Sequence, residues 1–177
     1  GVTTLQKKHI KIKKDNLIID FNGKKNVRNT CKVNNKRIIR TLKQKKKTLR
    51  DNDCLFTYRV GNKYYKIKSS DVNEYLKQFG DFTAKNFRTW GANIEFIYLV
   101  LKSCRKEFPR TKNEIKRTLN NCIKKVSHKL HNTTSVCKSN YLDPELISLF
   151  SIDVNNFKEL FYKNNKINRD DIYKYYV

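Results

Sequence analysis

The 177 residues hold 40 Lys and Arg against 16 Asp and Glu, a formal charge of +24, and such an excess asks for a polyanion: nucleic acid first, an anionic membrane surface second. No apolar run approaches the roughly 20 residues needed to cross a bilayer and no signal peptide is visible, so a soluble, intracellular protein of one domain is expected. Five scattered cysteines without a C-x-x-C pair, and three histidines (His9, His128, His131) without a nearby acid, suggest no disulfide framework and no metal site. The chain opens on Gly1 and contains no Met, so a fragment or processed product is expected.

Thr3 to Lys13 alternates apolar and basic residues, Asn16 to Phe21 is a compact apolar run, and Val27 to Val33 follows an Asn-Gly turn. These spacings predict an antiparallel meander over residues 1–34. Residues 1–50 carry 17 Lys and Arg against Asp15 and Asp20, so one wet face of the sheet should be strongly positive. From residue 35 the pattern turns helical: Ile38, Ile39 and Leu42 predict a short basic helix over Asn35 to Lys47. Leu55 to Tyr65, broken by Gly61-Asn62, predicts a hairpin or a strand and loop. Asp71 and Glu74 at capping-box spacing start a further helix, with Val72, Tyr75, Leu76 and Phe79 as its buried face and Gly80 as its end.

Thr83 caps the next helix, where Phe87 should face inward while Lys85 and Arg88, three apart, project to one side. The run Ile94, Phe96, Ile97, Leu99, Val100 and Leu101 predicts the central core helix. Lys112 to Val126 is a basic amphipathic helix with Ile115, Leu119, Cys122, Ile123 and Val126 inside. The chain closes with helices around Phe157, Leu160 and Phe161 and over Asp170 to Tyr176. Tyr64, Tyr65, Trp90, Phe96 and Tyr98 are expected in the core.

Between these last helices lies a polar stretch ending in Lys138-Ser139-Asn140-Tyr141-Leu142-Asp143-Pro144, with His131 and Asn132 ten and nine residues ahead of the tyrosine. A phenol ionises near pH 10, so it attacks a phosphodiester only with help. The charge that builds on the non-bridging oxygens needs metal ions or fixed Arg, Lys, His or Asn donors. This sequence offers the second solution in three stretches: Leu5 to Ile10, Phe82 to Asn93 and Asn132 to Tyr141. Each has a plainer reading: a solvated lysine at position 8, a salt bridge from Arg88 to Glu95 or Asp81, a structural ring at position 141.

Taken in order, the three stretches resemble the type IB DNA topoisomerases of poxvirus-like and bacterial kind, from Gly1 to about Ile147. That family has a lysine immediately before a histidine on a β-hairpin, an Arg-Thr-aromatic-Gly helix, and an Asn-Thr-Pro or His-Thr-Pro box nine residues ahead of its tyrosine. Lys8, Arg88, Asn132 and Tyr141 occupy those positions. The resemblance implies a mainly α fold with a small N-terminal sheet, the catalytic fold shared by type IB topoisomerases and tyrosine recombinases. It also implies a monomer that encircles double-stranded DNA together with an upstream domain.

In that scheme Tyr141 forms a 3′-phosphotyrosyl link, Lys8 protonates the leaving 5′-oxygen, and Arg88 and Asn132 hold non-bridging oxygens. Lys85, Lys7, His9, Lys138 and His131 contact nucleic acid, and no nucleotide or metal cofactor is needed. His131 is one residue, about 100° of helical rotation, from Asn132, so the two cannot share a role.

The chain departs from the pattern at Thr134, where the family has proline, and the family's other catalytic arginine would precede Gly1. Arg59, in Arg59-Val60-Gly61-Asn62, resembles that arginine's motif but follows the Lys8 stretch in chain order. A tyrosine recombinase is the nearest alternative, yet its His-x-x-Arg box meets only His128-Lys129-Leu130-His131 here. A non-catalytic basic DNA-binding module is the other.

Overall fold

A computed structural model describes residues 1–23, 26–162, 167, 169 and 172. They fall into two compact units, Gly1–Phe82 and Thr83–Val177. No helix among the described residues is long and apolar enough to cross a membrane.

The first unit is built on an antiparallel meander of β1 (Ile10–Lys13), β2 (Asn16–Asn22) and β3 (Arg28–Val33) in that order. Lys11 and Lys32 pair with Ile18 from opposite sides, so they share one face, and both are exposed. The expected positive face is present, relieved at one point where the Asp20 carboxylate takes two hydrogen bonds from Arg28. Strand structure begins only at Ile10; Val2–Thr4 and Lys7–His9 are single 3-10 turns. The reason is a different partner: Leu5 to Lys8 is bonded to Asp51 to Leu55, through Lys7 N to Asp53 O and Lys8 N to Asp51 O.

Helix α1 (Lys36–Thr48) starts where the Asn35 side chain accepts from the Ile38 amide, and it buries Ile39 and Leu42. These residues, with Leu5, Ile10, Leu17 and Leu55, form the first core. A hairpin of β4 (Thr57–Val60) and β5 (Lys63–Lys66) turns at Gly61, whose φ of 57° suits glycine. In α2 (Ser69–Lys77), Asp71 lies inside the first turn, accepting from the Lys68 amide, rather than at the cap. Its apolar side is not buried: Val72 and Leu76 are half-covered, and Tyr75 and Phe79 are exposed with their rings edge to face.

The second unit packs α3 (Ala84–Ser103), α4 (Lys112–Lys129), α5 (Thr134–Asn140), α6 (Pro144–Ile152) and α7 (Val154–Phe161) around Phe96, Ile97, Val100, Cys122, Val126, Phe150 and Phe157. Thr111 and Glu114 form the reciprocal cap that starts α4. Burial along α3 sets in at Ala92. Phe87 therefore has no core to enter and stays exposed, contrary to the inward placement expected from spacing. Of the five aromatics expected in the core only Phe96 is fully buried; Tyr98 is half-buried, and Tyr64, Tyr65 and Trp90 are exposed. Leu160 is likewise exposed. Of the helix expected over 170–176 only Ile172, buried in the second core, is among the described residues.

Phe150, fully buried and edge to face with Phe157, should cost about 3–5 kcal/mol when cut to alanine. Tyr75→Ser, on the uncovered side of α2, should change stability by no more than about 0.5 kcal/mol. Urea unfolding of the two variants beside the parent checks the contrast.

Candidate active site

Three of the four residues singled out as catalytic come together in the second unit. The C-terminal end of α4 leaves carbonyls without helical partners, the negative end of its dipole. One of them, Leu130 O, accepts from the Arg88 guanidinium and, at 3.2 Å, from the Asn132 side-chain amide. The same guanidinium carbon stands 5.2 Å from the centroid of the half-buried Tyr141 ring. A cationic fork and an amide donor thus reach a common oxygen beside the phenol.

The chain turn that aims Asn132 is specific. His131 has φ of 54°, the left-handed conformation that closes many helices, usually on glycine. Its amide donates to His128 O and that of Asn132 to Ser127 O, the paired bonds of a Schellman turn. His131 is left exposed while Asn132 is half-buried beside Leu130. Thr133 then caps α5, accepting from the Val136 amide.

Tyr141 itself occupies a three-residue link between two fixed helix ends. Its amide and that of Leu142 both donate to Cys137 O, Leu142 is buried, and Asp143 caps α6 by accepting from the Glu145 amide, with Pro144 in the first turn. A further bond ties the link to α3: the Asp143 amide donates to Asn93 Oδ1 at 2.9 Å, while Asn93 Nδ2 donates to Thr89 O. Asn93 was not marked by its sequence context as a site residue. The signal that could have found it is a polar side chain, with Glu95, inside an otherwise apolar helical run.

Glu95 is the other polar group buried there. Lys129 Nζ donates to Oε2 at 2.7 Å and Arg169 forks across both oxygens at 3.0 and 3.1 Å. Burial alone would push its carboxyl up, but the hydrogen bonds from Arg169 and Lys129 outweigh that and hold it below its ordinary value. The salt bridge anticipated from Arg88 to Glu95 or Asp81 is thus not what occupies the guanidinium.

The remaining candidates are divided between the two units. Lys8, in the first unit, is exposed and donates to Asn52 Oδ1 at 2.9 Å. Beside it, Lys7 is engaged by the Leu49 carbonyl at 2.6 Å and the Asp51 carboxylate at 3.6 Å. His9 Nδ1 accepts from the Gln6 amide, and its ring tilts against Phe21. Lys85 is exposed in the first turn of α3; Lys138, on α5, lines a shallow cavity of about 280 Å³ together with Lys112 and Lys116. Arg59 folds back on its own hairpin turn, donating to Gly61 O and Asn62 Oδ1. Among the described residues no group of three His, Cys, Asp or Glu side chains is placed to hold a metal ion.

Residues 1–168 match the family model described as "Eukaryotic DNA topoisomerase I, catalytic core". The chain belongs to this family. Among its relatives, a "DNA topoisomerase 1B" of Acanthamoeba polyphaga mimivirus is 32% identical over 157 residues, covering 85% of this chain and 46% of the relative. The "DNA topoisomerase I" of Monkeypox virus and the "DNA topoisomerase 1B" of Vaccinia virus (strain Copenhagen) are each 28% identical over 152 residues, covering 84% of this chain and 44% of theirs. The chain therefore spans about half the length of the curated relatives it matches. The topoisomerase family and its mainly helical fold with a small N-terminal sheet are those implied by the sequence motifs.

Cys137, one turn ahead of Tyr141, is raised by burial, an effect the Arg88 charge only partly offsets; burial also raises Cys122, and burial with the Cys122 neighbour pushes Cys104 up to about 11. Since the thiolate is the reactive form, iodoacetamide at pH 8 should modify exposed Cys31 first. Cys104, Cys122 and Cys137 should react only after denaturation, as peptide mass analysis of partly labelled protein would show.

Proposed function

We propose that Tyr141, Lys8, Arg88 and Asn132 of this chain are catalytic groups of a type IB DNA topoisomerase, an enzyme that relaxes supercoils in double-stranded DNA without a nucleotide cofactor. The observation that carries the reading is the meeting of Arg88, Asn132 and Tyr141 around the end of α4. In the proposed cleavage step the Tyr141 oxygen bonds to the scissile phosphorus as the bond to the 5′-oxygen breaks. The phenolic proton passes to water, and Lys8 supplies the proton that the leaving oxygen takes up. Arg88 and Asn132 exchange the Leu130 carbonyl for non-bridging phosphate oxygens, where the build-up of charge makes fixed donors most effective.

The residue types suit these parts. A guanidinium grips phosphate as a planar fork and keeps its charge, whereas an ammonium can surrender a proton and recover it. After the free strand end swivels, its 5′-hydroxyl attacks the phosphotyrosine, Lys8 takes the proton back, and the phenol is released. The phosphodiester energy is kept in the covalent link, so no fuel is consumed. Nucleic-acid contacts are assigned to Lys85, Lys138, His131 and His9. Lys7, whose ammonium is already held by Leu49 and Asp51, adds to the positive charge of the first unit.

Trapping of a covalent protein–DNA adduct on duplex DNA carrying a break just beyond the cleavage site tests the scheme. The parent should form an adduct, and Tyr141→Phe should form none. Arg88→Ala should slow adduct formation about 10²–10³-fold. For Lys8→Ala a loss of about 10²–10⁴-fold is expected, largely regained when sulfur replaces the leaving 5′-oxygen, since a thiolate departs without a proton. An adduct that survives Tyr141→Phe would sink the assignment.

A further inference from the structure

Arg88 and Glu95 are seven residues apart on α3, two helical turns, and so lie within about 20° of one another around the helix. Both engage the end of α4, with opposite charge: the guanidinium takes the Leu130 carbonyl and the carboxylate takes the Lys129 ammonium. Lys129, the last residue of α4, and Leu130, which caps it, are thus pinned to two turns of α3. Immediately beyond them comes the left-handed His131 and then Asn132.

Glu95 is 9% exposed, and a buried carboxylate is costly unless it is fully paired. Here the pairing is complete, with Arg169 taking both oxygens while its guanidinium lies 3.8 Å from the Tyr98 ring centroid. Lys129 by contrast leaves 60% of its side chain in solvent. The bond to Glu95 therefore fixes the α4 terminus without burying the lysine.

We propose that Glu95 is a positioning residue for the active site: through Lys129 it fixes the last turn of α4, and thereby the Leu130 carbonyl and the turn that presents Asn132 to Arg88 and Tyr141. This rests on the proposed topoisomerase function for its catalytic consequence, though the ordering of the turn stands apart from it. Asn93 holds the other end of the same segment at Asp143. Residues 129–143, with Asn132 and Tyr141 between, are thus tied to α3 at both ends.

The test uses the full chain as parent, Glu95→Gln, Lys129→Met and the double variant, each well below its unfolding midpoint. Two quantities are read: hydrogen exchange at the His131 and Asn132 amides, and the single-turnover adduct rate at saturating duplex DNA with the Kd measured separately. Each single variant should exchange these amides about tenfold faster and form adduct about tenfold slower with Kd within about twofold, and the double variant should lose no more than either, because the two residues act through one bond.

Unchanged exchange at His131 and Asn132 in folded Glu95→Gln overturns the proposal, as do losses that simply add. So does a rate at saturating DNA that stays at the parent value. Should Glu95→Gln fail to fold, Lys129→Met, which leaves the Glu95–Arg169 pair intact, carries both readouts. If the parent itself forms no adduct, the function assigned to the chain fails, and amide exchange alone then decides whether Glu95 orders the turn.

Discussion

The C-terminal end of α4 is arranged around a single backbone oxygen. Leu130 O is one of the acceptors that any α-helix leaves over at its C-terminal end, and here two side chains from different parts of the chain satisfy it. Removing one donor would leave the other, with water, to satisfy the oxygen. The arrangement means that Arg88 and Asn132, 44 positions apart in the sequence, share one acceptor.

Around that oxygen the fold supplies stiffness by ordinary means. Helix α5 is closed at both ends, by the Thr133 side chain before it and by the Tyr141 and Leu142 amides on Cys137 O after it. Asp143 and Pro144 start α6 at once. The tyrosine is thereby carried on a link with no slack, its neighbour Leu142 sunk in the core. The purpose of the left-handed His131 is visible in the same terms: it turns the chain sharply enough that Asn132 faces back toward the helix it has just left.

Much of this was legible in the sequence where the determining interactions are local. Thr83 announced the start of α3, the helices expected from Asn35 and from Lys112 begin at or within one residue of those positions, and the apolar runs of α3 and α4 named most of their buried residues. The family resemblance singled out Arg88, Asn132 and Tyr141, and the fold sets them beside one another. What periodicity cannot say is whether another element covers the side it marks. Tyr75, Phe79 and Phe87 share helical spacing with buried residues yet meet no core. Lys8 left the strand expected for it because Leu5 to Lys8 bonds to residues more than 40 positions ahead. Asn93 and Glu95 were silent for the same reason: the partners that give them their place, Asp143, Lys129 and Arg169, lie 34 to 74 positions away.

The Arg28–Asp20 contact on the meander shows how little internal compensation the first unit has. Its 82 residues carry 22 Lys and Arg against seven acids, so folding it gathers like charges that the unfolded chain keeps farther apart. Dissolved salt should shield that self-repulsion and favour the compact form, up to the ionic strength at which screening is complete. A densely charged polyanion would supply the same relief locally, which makes the unit's conformational stability and its grip on such a ligand two readings of one electrostatic quantity.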